Sequence, residues 1–145
     1  MDYEKYKKEV DLILEENKIY IKEFREWLEK KGLADKTIKN HVSNADFYIN
    51  DYLNYCEPTK MDEGCYLLDR FLGDWFIRKC MWSTASSVKS NATSIKKFYE
   101  CMLELGYIEK DGYDYIKDEI KESLKDWVYM VEEYNSGSDD FFSFL

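Results

Sequence analysis

Apolar residues recur at steps of three and four along almost the whole chain, and a single proline interrupts it. That spacing lines them up on one face of a 3.6-residue helix and excludes the strict alternation of a strand. The first stripe is Tyr6, Val10, Ile13, Tyr20, Phe24, Trp27 and Leu28; one long helix, or two joined near Asn17, satisfies it. Gly32 follows Lys30 and Lys31, a helix stop with cations at the negative end of the dipole. A second helix is expected from Asp35, whose carboxylate can cap it. It turns Ile38, Val42, Ala45, Ile49, Tyr52, Leu53 and Cys56 inward, and Pro58 closes it. Cys56 to Gly64 reads as a loop.

A third helix carries Leu68, Phe71, Leu72, Trp75 and Phe76, with Gly73 a weak point inside it. The small polar residues Ser83 to Ser87 form a loop and a cap, at Ser86 or Ser87. The fourth helix turns Val88, Ala92, Ile95, Tyr99 and Met102 inward and ends at Gly106. The fifth carries Ile116, Ile120, Leu124, Trp127, Val128, Val131 and Tyr134. The expectation is an all-α protein: a compact bundle of four to five helices in one domain, residues 1–134. Residues 135–145 form an acidic, aromatic tail that Ser136, Gly137 and Ser138 make flexible.

With 145 residues, 45% of them apolar, such a chain can bury a core. No run approaches the roughly 18 apolar residues of a membrane helix. The charged start MDYEKYKKEV is not a secretory signal. A cytoplasmic protein with no membrane contact is expected. Its four cysteines, Cys56, Cys65, Cys80 and Cys101, are then reduced. Their spacing is not that of a zinc site, and His41 is the one histidine. Cys56 and Cys80 fall at the ends of apolar stripes and read as packing residues. Cys80, after Arg78 and Lys79, is the one thiol with a cationic approach.

Catalytic chemistry is not legible. The six glycines are dispersed, so there is no phosphate-cradling loop. The paired acids Glu15-Glu16, Glu132-Glu133 and Asp139-Asp140 point apart or lie in the tail, whereas acid–base work needs converging groups. No enzyme activity, cofactor, metal or small-molecule substrate is expected.

Charge is distributed unevenly. The chain totals -9, yet residues 30–45 sum to +3 and residues 75–99 hold no acid and sum to +5. Residues 109–145 sum to -7. On the fourth helix, Ser86, Ser90, Ser94 and Lys97 lie opposite the apolar stripe, flanked by Lys89, Thr93 and Lys96. On the second, Lys36, Lys39, Asn40 and Ser43 lie away from the stripe. Lysines interleaved with short hydrogen-bonding residues suit phosphate contact; an ordinary solvated face has the same composition. Arg78 and Lys79 extend the second basic segment.

The stretch FREWLEKKGLADKTIKNHVSNADFYINDYL resembles the opening of the core-binding, SAM-like domain of tyrosine recombinases and phage integrases. The resemblance rests on Phe24, Trp27, Leu28, Gly32, Leu33, Thr37 and Ile38. It continues through Trp75-Phe76, the Ser83 to Ser87 turn, and Ile95, Phe98, Tyr99, Leu103, Gly106 and Ile108. About residues 20–108 are covered, and 109–134 form an additional acidic helix. The resemblance implies a four-helix bundle that clamps one side of duplex DNA, with its second and fourth helices facing the DNA. Lys36, Lys39, Asn40, Ser43, Arg78, Lys79, Ser86, Lys89, Ser90, Lys96 and Lys97 are then the candidate contacts. The family's arginine–histidine–arginine set and tyrosine nucleophile have no counterpart here. Arg25, Arg70 and Arg78 are the only arginines, and His41 begins no His-x-x-Arg motif. The implied function is a non-catalytic DNA-binding module, a mobile-element remnant or recombination accessory. The alternative is an acidic helical module that binds a basic protein partner, or a second copy, through its C-terminal region. Phe141, Phe142 and Phe144 would then fill a groove.

Overall fold

The computed structural model describes residues 2–143 along the backbone, and side chains as far as Gly137. The described residues form an all-helical bundle without a strand. Helix α1 is one continuous helix, Tyr3–Lys30. Asn17 does not break it. That side chain is buried and bonds across the bundle to the end of the second helix. Gly32 closes the turn after α1 at φ 77°, with its N–H on the Glu29 carbonyl.

Helix α2 runs as Asp35–Asp46 and continues as a wider π turn, Phe47–Tyr52. Asp35 is not its cap. Ala34 holds that position without a side-chain bond, and Asp35 sits in the first turn, favourably placed at the positive dipole end. The π turn advances the register by about one residue. Tyr48, Ile49 and Leu53 are therefore buried, Tyr52 is half-buried, and Cys56 is exposed rather than packed. Two side-chain amides take up the carbonyls freed at this end. Asn17 Nδ2 donates to Ile49 O at 3.2 Å, and Asn54 Nδ2 donates to Ile49 O and Asn50 O at 3.3 and 3.2 Å.

Part of the expected loop is a 3-10 turn, Met61–Tyr66. Two fully buried tyrosines hold it: Tyr48 Oη donates to Gly64 O and Tyr99 Oη to Met61 O, each at 2.7 Å. Gly64 must be glycine here, because a Cβ would collide with the Tyr99 hydroxyl.

Helix α3 is a chain of three short pieces, Leu68–Arg70, the π turn Phe71–Trp75, and Phe76–Lys79. Gly73 is a point of close approach: a Cβ would lie 3.0 Å from the Trp127 ring, whose Nε1 donates to Asp69 at 2.7 Å.

Helix α4, Ala85–Glu104, starts at a capping box. The Ser87 N–H donates to Thr84 Oγ1, and the Ser87 hydroxyl accepts from the Thr84 N–H. The cap is thus Thr84, with Ser87 as its reciprocal partner. The helix ends at Gly106, φ 82°, with Tyr107 N–H on Met102 O. Its whole expected stripe is buried.

Helix α5 is Lys110–Ser143. It does not stop at Tyr134 but continues through Asn135, Ser136 and Gly137. A glycine inside a helix costs only about 1 kcal/mol, and Asn135 Nδ2 donates to Ser83 O at 3.0 Å, pinning this end to the start of α4. The side chains of Phe141 and Phe142, and Phe144 altogether, lie outside the described residues.

Candidate nucleic-acid interface

The two basic segments are brought together. Helices α2 and α4 pack side by side through a seam of amides and hydroxyls. Asn40 and Asn44 donate to Ser90 Oγ at 3.1 and 3.2 Å, and Asn44 also donates to Ser94 Oγ at 3.0 Å. His41 Nδ1 lies 2.7 Å from Ser94 Oγ. Position 40 meets 90 and position 44 meets 94, so the two helices run in the same direction, their N-termini at the same end. Short side chains at Ser90 and Ser94 let the two backbones approach.

Of the sequence-derived contacts, Lys36, Lys39 and Ser43 stand exposed on α2, and Ser86 and Lys89 on α4. Lys96 and Lys97 are half-buried. They line a groove of about 270 Å³ between α4 and α5, with Thr93, Glu100, Ile120 and Leu124. Asn40 and Ser90 bond to each other at the outer edge of the seam. Ser94 does not lie on the open face: it is fully buried under His41 and Asn44. Seam residues His41 and Asn44 escaped the sequence reading. The signal was present as polar residues at 40, 41 and 44 facing serines at 90 and 94, four apart.

Arg78 is engaged elsewhere. Its guanidinium makes a two-pronged ion pair with Asp74, at 2.7 and 3.0 Å, which lowers the Asp74 carboxyl and raises Arg78. Arg78 lines a separate cleft of about 460 Å³ with Tyr52, Tyr55, Arg70 and Trp75, none of them a seam residue. Lys79 is exposed at the end of α3.

Electrostatics distinguishes the buried groups. Burial first, and then the Lys97 charge, lower the His41 pKa. The Ser94 hydroxyl accepts from Asn44 and keeps a proton that a neutral His41 Nδ1 can accept. Cys65 and Cys101 are buried, their thiols pushed up to about 12 chiefly by desolvation. Cys80 is buried too, and desolvation raises it. The cationic approach expected of Cys80 therefore does not yield a thiolate. Among the described residues no group of three His, Cys, Asp or Glu side chains could hold a metal ion. No helix among them is long and apolar enough to cross a membrane.

Compared with protein-family models, with curated proteins and with solved structures, the chain matches none.

Proposed function

We propose that this chain is a non-catalytic module that docks on duplex DNA through α2 and α4, in the manner of the recombinase core-binding domain its sequence resembles. The observation that carries the reading is the seam. It packs the helix that carries Lys36 and Lys39 against the one that carries Lys89, Lys96 and Lys97, and it aligns two helix N-termini, each the positive end of a dipole. Among the described residues the ion pairs are Lys18–Glu15, Arg78–Asp74 and Lys110–Asp114, so none of these five lysines is taken up by one. Lysine contacts of this kind hold phosphates and set register without reading sequence. In this reading the protein is cytoplasmic and serves as a recombination accessory or a mobile-element remnant.

Fluorescence anisotropy with a labelled random-sequence duplex tests it. Dissociation constants near about 10⁻⁴ to 10⁻⁶ M at physiological salt, tightening as salt falls, are expected. Replacing Lys89, Lys96 and Lys97 together by Gln should lower the salt slope by about 2 to 3 and weaken binding alike on all sequences. Absence of binding at low salt would overturn the reading.

The second reading, an acidic protein-interaction module, is favoured by the outer face of α5. Tyr129 is 63% exposed and Met130 37%, beside Glu132 and Glu133. A basic partner captured by the intact chain and lost with Tyr129→Ser/Met130→Ser would support it.

A further inference from the structure

Helix α5 is acidic when averaged along its length, but between residues 117 and 126 its charge is divided by face. It packs antiparallel over α4: Leu124 and Ile120 share a groove with Thr93 and Lys96, and Asn135 reaches back to Ser83 at the start of α4. On a 3.6-residue helix, Lys117, Lys121 and Lys125 lie about 20°, 60° and 100° round from Leu124, all on the α4 side. Of the acids, Asp118, Glu119, Glu122 and Asp126 lie about 120° or more away, whereas Asp114, which is paired with Lys110, and Glu132 lie about 80° round on the lysine side. All three lysines are exposed, and among the described residues none is in an ion pair. Lys117 Nζ stands 6.0 Å from the Tyr113 ring centre. These three lysines therefore edge the same surface as Lys89, Lys96 and Lys97.

We propose that α5 supplies a third basic ridge to the DNA-binding face, with Lys117, Lys121 and Lys125 meeting the phosphate backbone alongside α2 and α4. The proposal rests on the DNA-binding reading above. It extends the footprint from two helices to three, with α4 in the middle. A spacing of four places the lysines about 6 Å apart along the helix axis, and phosphates repeat at a comparable interval along one DNA strand. Of the acids on the far side of α5, Asp118, Glu122 and Asp126 are exposed and Glu119 accepts from the Ser123 hydroxyl.

The test compares three triple Lys→Gln variants of the full chain by anisotropy with the same duplex across a salt series. They are Lys117/Lys121/Lys125, Lys89/Lys96/Lys97, and Lys5/Lys7/Lys8 at the start of α1, which alters net charge equally at a distant, exposed site. The α5 triple is expected to weaken binding about tenfold or more near 0.1 M salt and to lower the salt slope by about 2 to 3. The α1 triple should leave the slope unchanged. If the α5 triple behaves like the α1 triple while the α4 triple loses affinity, the inference fails and the two-helix reading stands. If the wild-type chain shows no salt-dependent binding, both fail. Lysine acetylation of the wild-type protein, with and without duplex, needs no variant. Protection of Lys117, Lys121 and Lys125 along with Lys89 supports the ridge, and full reactivity of all three with Lys89 protected overturns it.

Discussion

His41 is the residue on which the α2–α4 seam is most sensitive to pH. Its folded pKa lies below the unfolded value of about 6.5. Between those two values the unfolded chain binds more protons than the folded one, so stability rises with pH through that window. The contribution is present above about pH 6.5 and is lost as pH falls through the folded pKa. Lowering the pH from about 7.5 to 5.5 should reduce the urea midpoint. His41→Gln should flatten that dependence, because the chain has no second histidine. An unchanged slope in the variant would locate the titration elsewhere. Tyr48, Tyr99 and Ser94 show the limit of residue-level reading. Tyr99 falls on the regular stripe and was legible as core. Tyr48 is shifted inward by the π turn, and Ser94 is buried because a histidine and an asparagine from another helix satisfy its hydroxyl. A polar side chain reads as exposed until its partner is known.

At the scale of elements, helix interiors and glycine stops were legible and helix starts were not. The stop glycines Gly32 and Gly106 act as expected, both with positive φ. The caps were less readable, since serines and threonines crowd residues 83 to 87 and only geometry selects Thr84. Thr84→Ala should destabilise the fold by about 1 kcal/mol, measured by denaturant unfolding, because the Ser87 N–H at the start of α4 loses its acceptor, Thr84 Oγ1. Substituting exposed Ser86 by Ala should cost much less. An equal loss at both sites would show that the box contributes nothing. The candidate contacts were partly legible. Lys36, Lys39 and Lys89 are exposed as expected. Arg78 was not separable by composition from its neighbours, although Asp74, four residues earlier, was the visible sign of its pairing.

Across the whole molecule, salt should act in opposite directions on folding and on binding. A net charge of -9 destabilises the compact state by self-repulsion, and screening relieves it. The three ion pairs among the described residues are surface pairs that contribute little to stability. Raising sodium chloride from about 20 to 200 mM should therefore raise the melting temperature while weakening duplex binding. A fall in both would indicate that attractive surface pairs outweigh the repulsion. The same overall charge hides the basic face, because averages along the chain do not separate the two sides of α5.

The sequence by itself determined five helices and their inward stripes, since a 3.6-residue period and terminating glycines are local properties of the chain. It also determined that lysines gather in two segments. The tertiary structure alone decided that α2 and α4 lie in the same direction across a polar seam, that Trp127 needs Gly73, and that α5 packs on α4 through Ile120 and Leu124. Those outcomes depend on which helix face meets which, through contacts between residues about 50 positions apart. Local periodicity places a side chain on a face but does not name the face it meets.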